Sequence, residues 1–307
     1  MKKLLPAVFI IVLLLTIFVA CGADGTDDAS KEAVSALSVG LMPAVDSAPI
    51  LLAAERGYFE QEGVEVELEI YTNAQNRQSA LQSGKLDGAI TDLVALTTNV
   101  AGDFDIKATT LTSGMFIVLA REGSMEEQRV TVGTMEVSVT NYLLDRWMKG
   151  RYNMDKVYIN EIPLRLEALA GGKLDMGIFP EPLASVGASK GLEKLDFAPP
   201  EGYWPDALVF TKHARTEKRA AVEAFHRAYN TAVEAVYEEE ATARSILVEK
   251  IPQLQPDIRD ALTMPDYRRA FLPEDEYLQS IIDWTGKTVD RSLEVSAEDL
   301  VDRSFVE

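Results

Sequence analysis

Arg77 and Arg165 stand at the same place in two copies of one segment. Arg77-Gln-Ser-Ala-Leu-Gln-Ser-Gly-Lys-Leu-Asp-Gly-Ala-Ile90 returns as Arg165-Leu-Glu-Ala-Leu-Ala-Gly-Gly-Lys-Leu-Asp-Met-Gly-Ile178, with eight of fourteen positions identical and no gap. A guanidinium is a fork of donors that meets an anion through two parallel hydrogen bonds, so either arginine could receive an anionic ligand. Because both copies keep it, a shared structural role is the preferred expectation. The carboxylates in the same neighbourhood are Asp46, Asp92, Glu136 and Glu181. Four acids with few cations favour a neutral or nitrogen-bearing ligand that donates hydrogen bonds over a simple anion. Tyr203 and Trp204, in Tyr203-Trp-Pro-Asp206, could stack on a flat ring or pack a hinge.

Catalytic chemistry has no comparable footing. The chain has two histidines, His213 and His226, both outside the repeated segments, and one cysteine, Cys21. For the histidines a solvated or capping role is expected. No Gly-x-Ser-x-Gly elbow, P-loop or dinucleotide fingerprint occurs, and Cys/His metal sites are absent. The expectation is a binding protein rather than an enzyme, with no cofactor and no metal.

The elements that must position these residues follow the repeat. A period of about ninety residues is too long for a solenoid unit and suits two similar α/β lobes that face each other across a cleft. In the first lobe, strands are expected at 37–42, 64–71 and 88–91, with a helix over 77–83 that Gly84 ends. Val64, Val66, Leu68 and Ile70 alternate with glutamates, which marks a strand with one wet face near a sheet edge. In the second lobe, strands at 130–135, 157–162 and 176–179 flank a helix over 141–149 and the second repeated helix. Strands alternating with helices predict mostly parallel sheets. Residues 116–120 and 207–211 read as strands crossing between lobes, a two-strand hinge. The expected organisation is residues 36–115 for lobe 1, 116–210 for lobe 2, and 211–307 for helices that pack back on lobe 1.

Ligands of open parallel sheets sit beyond the carboxyl ends of the strands. That rule selects Met42, Ala44, Asp46, Ser47, Asn73, Thr91 and Asp92 in lobe 1, and Ser138, Thr140 and Glu181 in lobe 2. Ser113, Tyr203 and Trp204 are added at the crossings. Helix N-termini in the same space can offer free N–H groups.

Residues 1–20 have the form of a secretory signal, with Lys2 and Lys3 before an apolar run. Phe18-Val-Ala20 before Cys21 resembles the bacterial lipoprotein box, so Cys21 is the expected lipidation site. Residues 21–35 are expected to be a flexible stalk. Without Lys2 and Lys3 the formal charge of −19 becomes −21, which argues against nucleic acid as a partner.

The string Ala48-Pro-Ile-Leu-Leu-Ala-Ala-Glu-Arg-Gly-Tyr-Phe-Glu-Gln-Glu-Gly-Val-Glu-Val-Glu-Leu68, with Ala80-Leu-Gln-Ser-Gly-Lys-Leu-Asp87, resembles solute-binding proteins of bacterial ABC importers. The similar group serves nitrate, sulfonates, taurine and thiamine pyrimidine precursors. Ala168-Leu-Ala-Gly-Gly-Lys-Leu-Asp175 with Pro180-Glu-Pro182, and Glu298-Asp-Leu-Val-Asp-Arg-Ser-Phe305, are similar to that family as well. The resemblance implies a two-lobed periplasmic-binding-protein-like clamp of type II, a monomer that hands a small molecule to a permease and its ATPase. The signal segment and Cys21 add the expectation of an extracytoplasmic place, anchored to the membrane through lipid. A thiamine-type pyrimidine or other N-heterocycle is the first expectation for the ligand. An aliphatic sulfonate such as taurine, or a nitrate-type anion, is the alternative. A ligand-sensing lipoprotein for a membrane receptor would use the same fold. Related thiamine pyrimidine synthases use a histidine and a cysteine-rich iron site, which this sequence does not match.

Overall fold

The computed structural model describes residues 35–195, 197, 203–251 and 254–306. The signal segment, Cys21 and the stalk up to residue 34 lie outside the described residues. Ten strands form two five-stranded sheets. The first holds β1 (Ser35–Leu41), β2 (Val64–Ile70), β3 (Gly88–Asp92) and β4 (Ile106–Thr112). The second holds β5 (Phe116–Ala120), β6 (Arg129–Thr134), β7 (Asn153–Tyr158), β8 (Met176–Pro180) and β9 (Glu193–Leu195). The last strand, β10 (Asp206–Thr211), returns to the first sheet.

The strand orders are β2-β1-β3-β10-β4 and β7-β6-β8-β5-β9. They are the same design. In each, three parallel strands built by the repeat are followed by one antiparallel strand delivered from the other lobe. The lobe boundary therefore differs from the sequence expectation. Residues 206–210, expected to close the second lobe, pair with β3 and β4 of the first. The first crossing is the short connection 113–115, the chain returns between β9 and β10, and the strands expected to be the hinge lie within the sheets.

The repeated segment is a scaffold device. Its helices are Ala74–Gln82, which starts three residues before the expected Arg77, and Ile162–Ala170, which starts one residue before Pro163, the expected opening residue. They run into Gly84 and Gly172, at φ +75° and +74°, a conformation open to glycine and costly for other residues. Asp87 then accepts the backbone N–H of Ser38 at 3.0 Å, and Asp175 that of Thr131 at 2.8 Å. Each thereby ties its loop to the first strand of its own repeat, β1 or β6. Leu86 and Leu174 pack so closely on Gly40 and Gly133 that a Cβ there would stand 2.6 Å from each leucine.

The C-terminal helices cover the first sheet. Helix Arg219–Glu238 buries Val222, Phe225, Tyr229, Val233 and Val236 along one face. Phe225 stacks on Phe59 at 4.8 Å and meets Phe210 edge-on at 5.8 Å. His226 is buried, contrary to the solvated role expected for it. Its Nε2 meets Thr109 Oγ1 at 2.8 Å, and burial lowers its pKa to about 4. Helix Asp275–Thr288 packs on helix Leu93–Val100, and Val301 bridges to Ala108 of β4.

Candidate functional site

The carboxyl ends of β1, β3, β6 and β8 converge on a cavity between the lobes, with about 110 Å³ open to the centre of a water-sized sphere. Seven of the sequence-selected residues line it: Met42, Ala44, Asp46, Thr91, Asp92, Ser138 and Thr140. The remaining walls are largely apolar, with Ile90, Phe116, Met135, Val139, Ile162 and Leu183 among them. Thr72, Arg77, Arg165 and Asp206 complete the polar lining. The lobes touch around it. Val45 N–H donates to the Glu181 carbonyl at 3.1 Å, and Asn73 Nδ2 donates to Glu161 Oε1 at 2.7 Å.

Three carboxylates gather on the first-lobe side. Asp92 caps helix Leu93–Val100, accepting from Ala95 N–H at 2.8 Å. Asp206 opens β10, whose register sets it beside both Asp92 and Thr112. Thr112 Oγ1 in turn donates to Asp46 Oδ2 at 2.8 Å, while Asp46 Oδ1 is buried without a hydrogen bond. Asp206 lies so close to the first crossing that only glycine fits opposite it: a Cβ on Gly114 would fall 2.0 Å from Oδ2.

Burial disfavours the charged form of each acid. It raises Asp46 from 3.8 to about 6, with the Thr112 hydroxyl and the Arg77 charge opposing. Asp206 is pushed well above the usual carboxylate range by burial and then by its neighbours Asp46 and Asp92. Asp92 is raised by burial, against the Ala95 N–H, the Arg77 charge and the N–H of Val139 in the second lobe. Arg77 sits among these acids, 4% exposed, and donates to Thr91 Oγ1 at 2.8 Å. Burial lowers its pKa, and Asp92, Asp206 and Asp46 counteract that in this order.

Arg165 occupies the matching place in the second lobe without matching partners. It is 0% exposed, and Nη1 donates to the Ile159 carbonyl at 2.8 Å. Its guanidinium lies over the Phe179 ring at 5.3 Å. Nε and Nη2 have no hydrogen bond. Burial alone lowers its pKa to about 10.

Six sequence-selected residues stand outside the cavity lining. Ser47 is buried behind it, its hydroxyl donating to the Met42 carbonyl at 2.9 Å. Asn73 caps helix Ala74–Gln82 at the mouth. Ser113 donates to the Asp266 carbonyl at 3.0 Å. The Glu181 carboxylate turns back into its own lobe, accepting from Ser185 N–H at 3.0 Å and pairing with Lys194 Nζ at 2.5 Å. Tyr203 exchanges hydrogen bonds with the Phe116 backbone at 2.8 and 3.0 Å. Trp204 packs edge-on to Phe271 at 5.3 Å with the Arg268 guanidinium over its ring at 4.4 Å. The two aromatics therefore pack the hinge. Glu136, another acid weighed from the sequence, is not among the lining residues. Among the described residues no group of three or more His, Cys, Asp or Glu is placed to hold a metal ion.

The fold recurs in solved solute-binding proteins. The ligand-binding component of an ABC-type import system from Staphylococcus aureus, solved with zinc bound, superposes with a TM-score of 0.73 at 17% identity, over 88% of this chain and 97% of that one. The periplasmic aliphatic sulphonate-binding protein SsuA of Escherichia coli gives 0.73 at 13% identity, over 88% and 92%. The periplasmic nitrate-binding protein NrtA of Synechocystis gives 0.63 at 11%, over 87% and 91%. No curated protein sequence matches the chain. The profile of the NMT1/THI5-like family spans residues 44–243, from the first cavity loop through both repeats and into the C-terminal helices, and the chain belongs to that family.

Proposed function

We propose that this protein is the extracytoplasmic solute-binding component of an ABC importer, which captures a small molecule between its lobes and delivers it to a permease. The observation that carries this reading is the cavity: enclosed by both lobes, apolar over most of its wall, with Asp46, Asp92 and Asp206 on one side. Buried carboxylates above their ordinary pKa are costly to the fold and are characteristic of working sites. A ligand that donates hydrogen bonds to them offsets that cost. This favours a nitrogen-bearing solute, of which a thiamine-type pyrimidine precursor or another N-heterocycle is the first candidate. The pocket would serve binding without catalysis. The protein would act as a monomer, tethered to the membrane by lipid on Cys21.

Native mass spectrometry of the protein as purified tests this reading. The expected result is a small nitrogen-containing molecule carried in stoichiometric amount. Small-angle scattering before and after its removal should show expansion, as hinge opening requires. A stripped protein that neither rebinds the released compound nor changes dimensions would overturn the proposal.

A further inference from the structure

The two arginines of the repeat have diverged in their surroundings while keeping their positions. Both lie against a glycine of the first strand, since a Cβ on Gly40 would be 3.2 Å from Arg77 Cγ and one on Gly133 would be 3.0 Å from Arg165 Cγ. The divergence is in the strand that follows each helix. In the first lobe it ends Thr91-Asp92, and both residues serve Arg77, one by hydrogen bond and one by charge. In the second lobe the matching positions are Phe179-Pro180, which supply a ring face and no acceptor. A purely structural role explains Arg77, whose charge the surrounding acids compensate although its Nε also lacks a hydrogen bond. It leaves Arg165 as a buried cation with two N–H groups unpaired in the lining of a cavity. An uncompensated buried charge is costly, and a bound anionic group would supply the missing acceptors as a bidentate pair.

The opposite lining has the converse imbalance, with three carboxylates around the single Arg77. Resting on the reading of this cavity as the solute site, but departing from the uncharged pyrimidine as its first candidate, we infer that the solute is a small zwitterion. Its anionic group would meet Nε and Nη2 of Arg165. Its cationic or strongly donating nitrogen would meet Asp46, Asp92 and Asp206. Met42, Ile90, Phe116 and Met135 would pack the short apolar body between the poles. Arg165 is then the residue that selects for an anionic group, and Arg77 is a positioning residue for the acids.

Thermal shift and calorimetry on ligand-stripped protein, with probes matched in size, test the inference. Taurine and β-alanine are the zwitterions, ethanesulfonate and propionate the lone anions, ethylamine the lone cation, and 4-amino-5-hydroxymethyl-2-methylpyrimidine the uncharged heterocycle. A zwitterion should bind more tightly than either single-charge analogue. Arg165→Met should weaken it about ten- to a hundredfold, the scale of a lost charged hydrogen bond. The same variant without ligand should melt no lower than the parent, because it removes an unpaired buried charge. A structural role predicts a lower melting point. Arg165→Lys keeps a charge without the fork, and should fold and bind with intermediate affinity. Tightest binding by a lone anion, a lone cation or the pyrimidine would overturn the zwitterion and leave the solute-binding reading intact. Zwitterion binding unchanged in both Arg165 variants would overturn the role of Arg165. No binding by any probe would overturn the inference for molecules of this size, and the solute-binding reading would fall with it only if the purified protein also carried no small molecule.

Discussion

Replacing Asp46 by asparagine should stabilise the protein while weakening ligand binding, and the stabilisation should depend on pH. Asp46 is 1% exposed, and burial raises its pKa from 3.8 to about 6. Below the unfolded value of 3.8 both states hold the proton, and the acid costs nothing. As pH rises through the window between 3.8 and about 6, the unfolded chain ionises first and the fold loses stability. Above about 6 the loss is complete. At about 1.4 kcal/mol per pH unit, the full penalty is about 3 kcal/mol. Asparagine removes it and still offers an oxygen to the Thr112 hydroxyl, now 2.8 Å from Oδ2. What it forfeits is the attraction to Arg77, the weakest of that residue's three carboxylate influences.

The expected gain for Asp46→Asn is therefore about 1–3 kcal/mol at pH 8 and close to zero at pH 4. Urea unfolding of the ligand-free protein at both pH values measures it. Affinity for a donating solute, measured by calorimetry at pH 8, should fall about tenfold or more as a charged acceptor is lost. Gain in stability with loss of binding is the signature of a group kept for function. A variant destabilised equally at pH 4 and pH 8 would refute the reasoning, since it would show that Asp46 stabilises the fold through packing and hydrogen bonding alone.

Three other substitutions separate scaffold from site. Gly133→Ala places a methyl 2.6 Å from Leu174 Cδ1 and 3.0 Å from Arg165 Cγ; it should cost about 1–3 kcal/mol of stability and weaken binding by displacing Arg165, both read by melting and calorimetry. Trp204→Ala removes a ring packed on Phe271 and Arg268; it should lower stability by about 3 kcal/mol with affinity unchanged, and a selective loss of affinity would return Trp204 to the ligand site. Cys21→Ala should abolish incorporation of labelled fatty acid and leave ligand binding by the folded lobes intact; acylation that persists would place the anchor elsewhere.

The lobes were legible because the repeat records its own scaffold. Its identical residues are largely those that build the helix-to-strand turn: Gly84 and Gly172 at positive φ, Leu86 and Leu174 on the facing glycines, Asp87 and Asp175 on a backbone N–H of the first strand. Asp46 and Asp92 were legible because one lies just beyond and the other at the carboxyl end of a parallel strand, where an α/β sheet exposes its loops. Asp206 was not, although it was written in the hinge motif. It reaches the cavity because β10 inserts antiparallel between β3 and β4 and sets Asp206 opposite Asp92 and Thr112. That register is a contact between distant parts of the chain, and no local periodicity carries it. Glu181 misled for a complementary reason. It follows β8 closely, as the strand-end rule demands, but Lys194 on β9 and Ser185 one helical turn later draw its carboxylate away from the cleft. The repeat also held a signal about Arg165 that points away from the shared structural role. Identity at Arg77 and Arg165 reads as common structure only if their partners repeat too, and Thr91-Asp92 against Phe179-Pro180 shows that they do not. An arginine that faces a phenylalanine ring and a proline, where its counterpart has a hydroxyl and a carboxylate, carries the cost of a buried charge, and the anionic group of a zwitterionic solute would supply the acceptors that offset it.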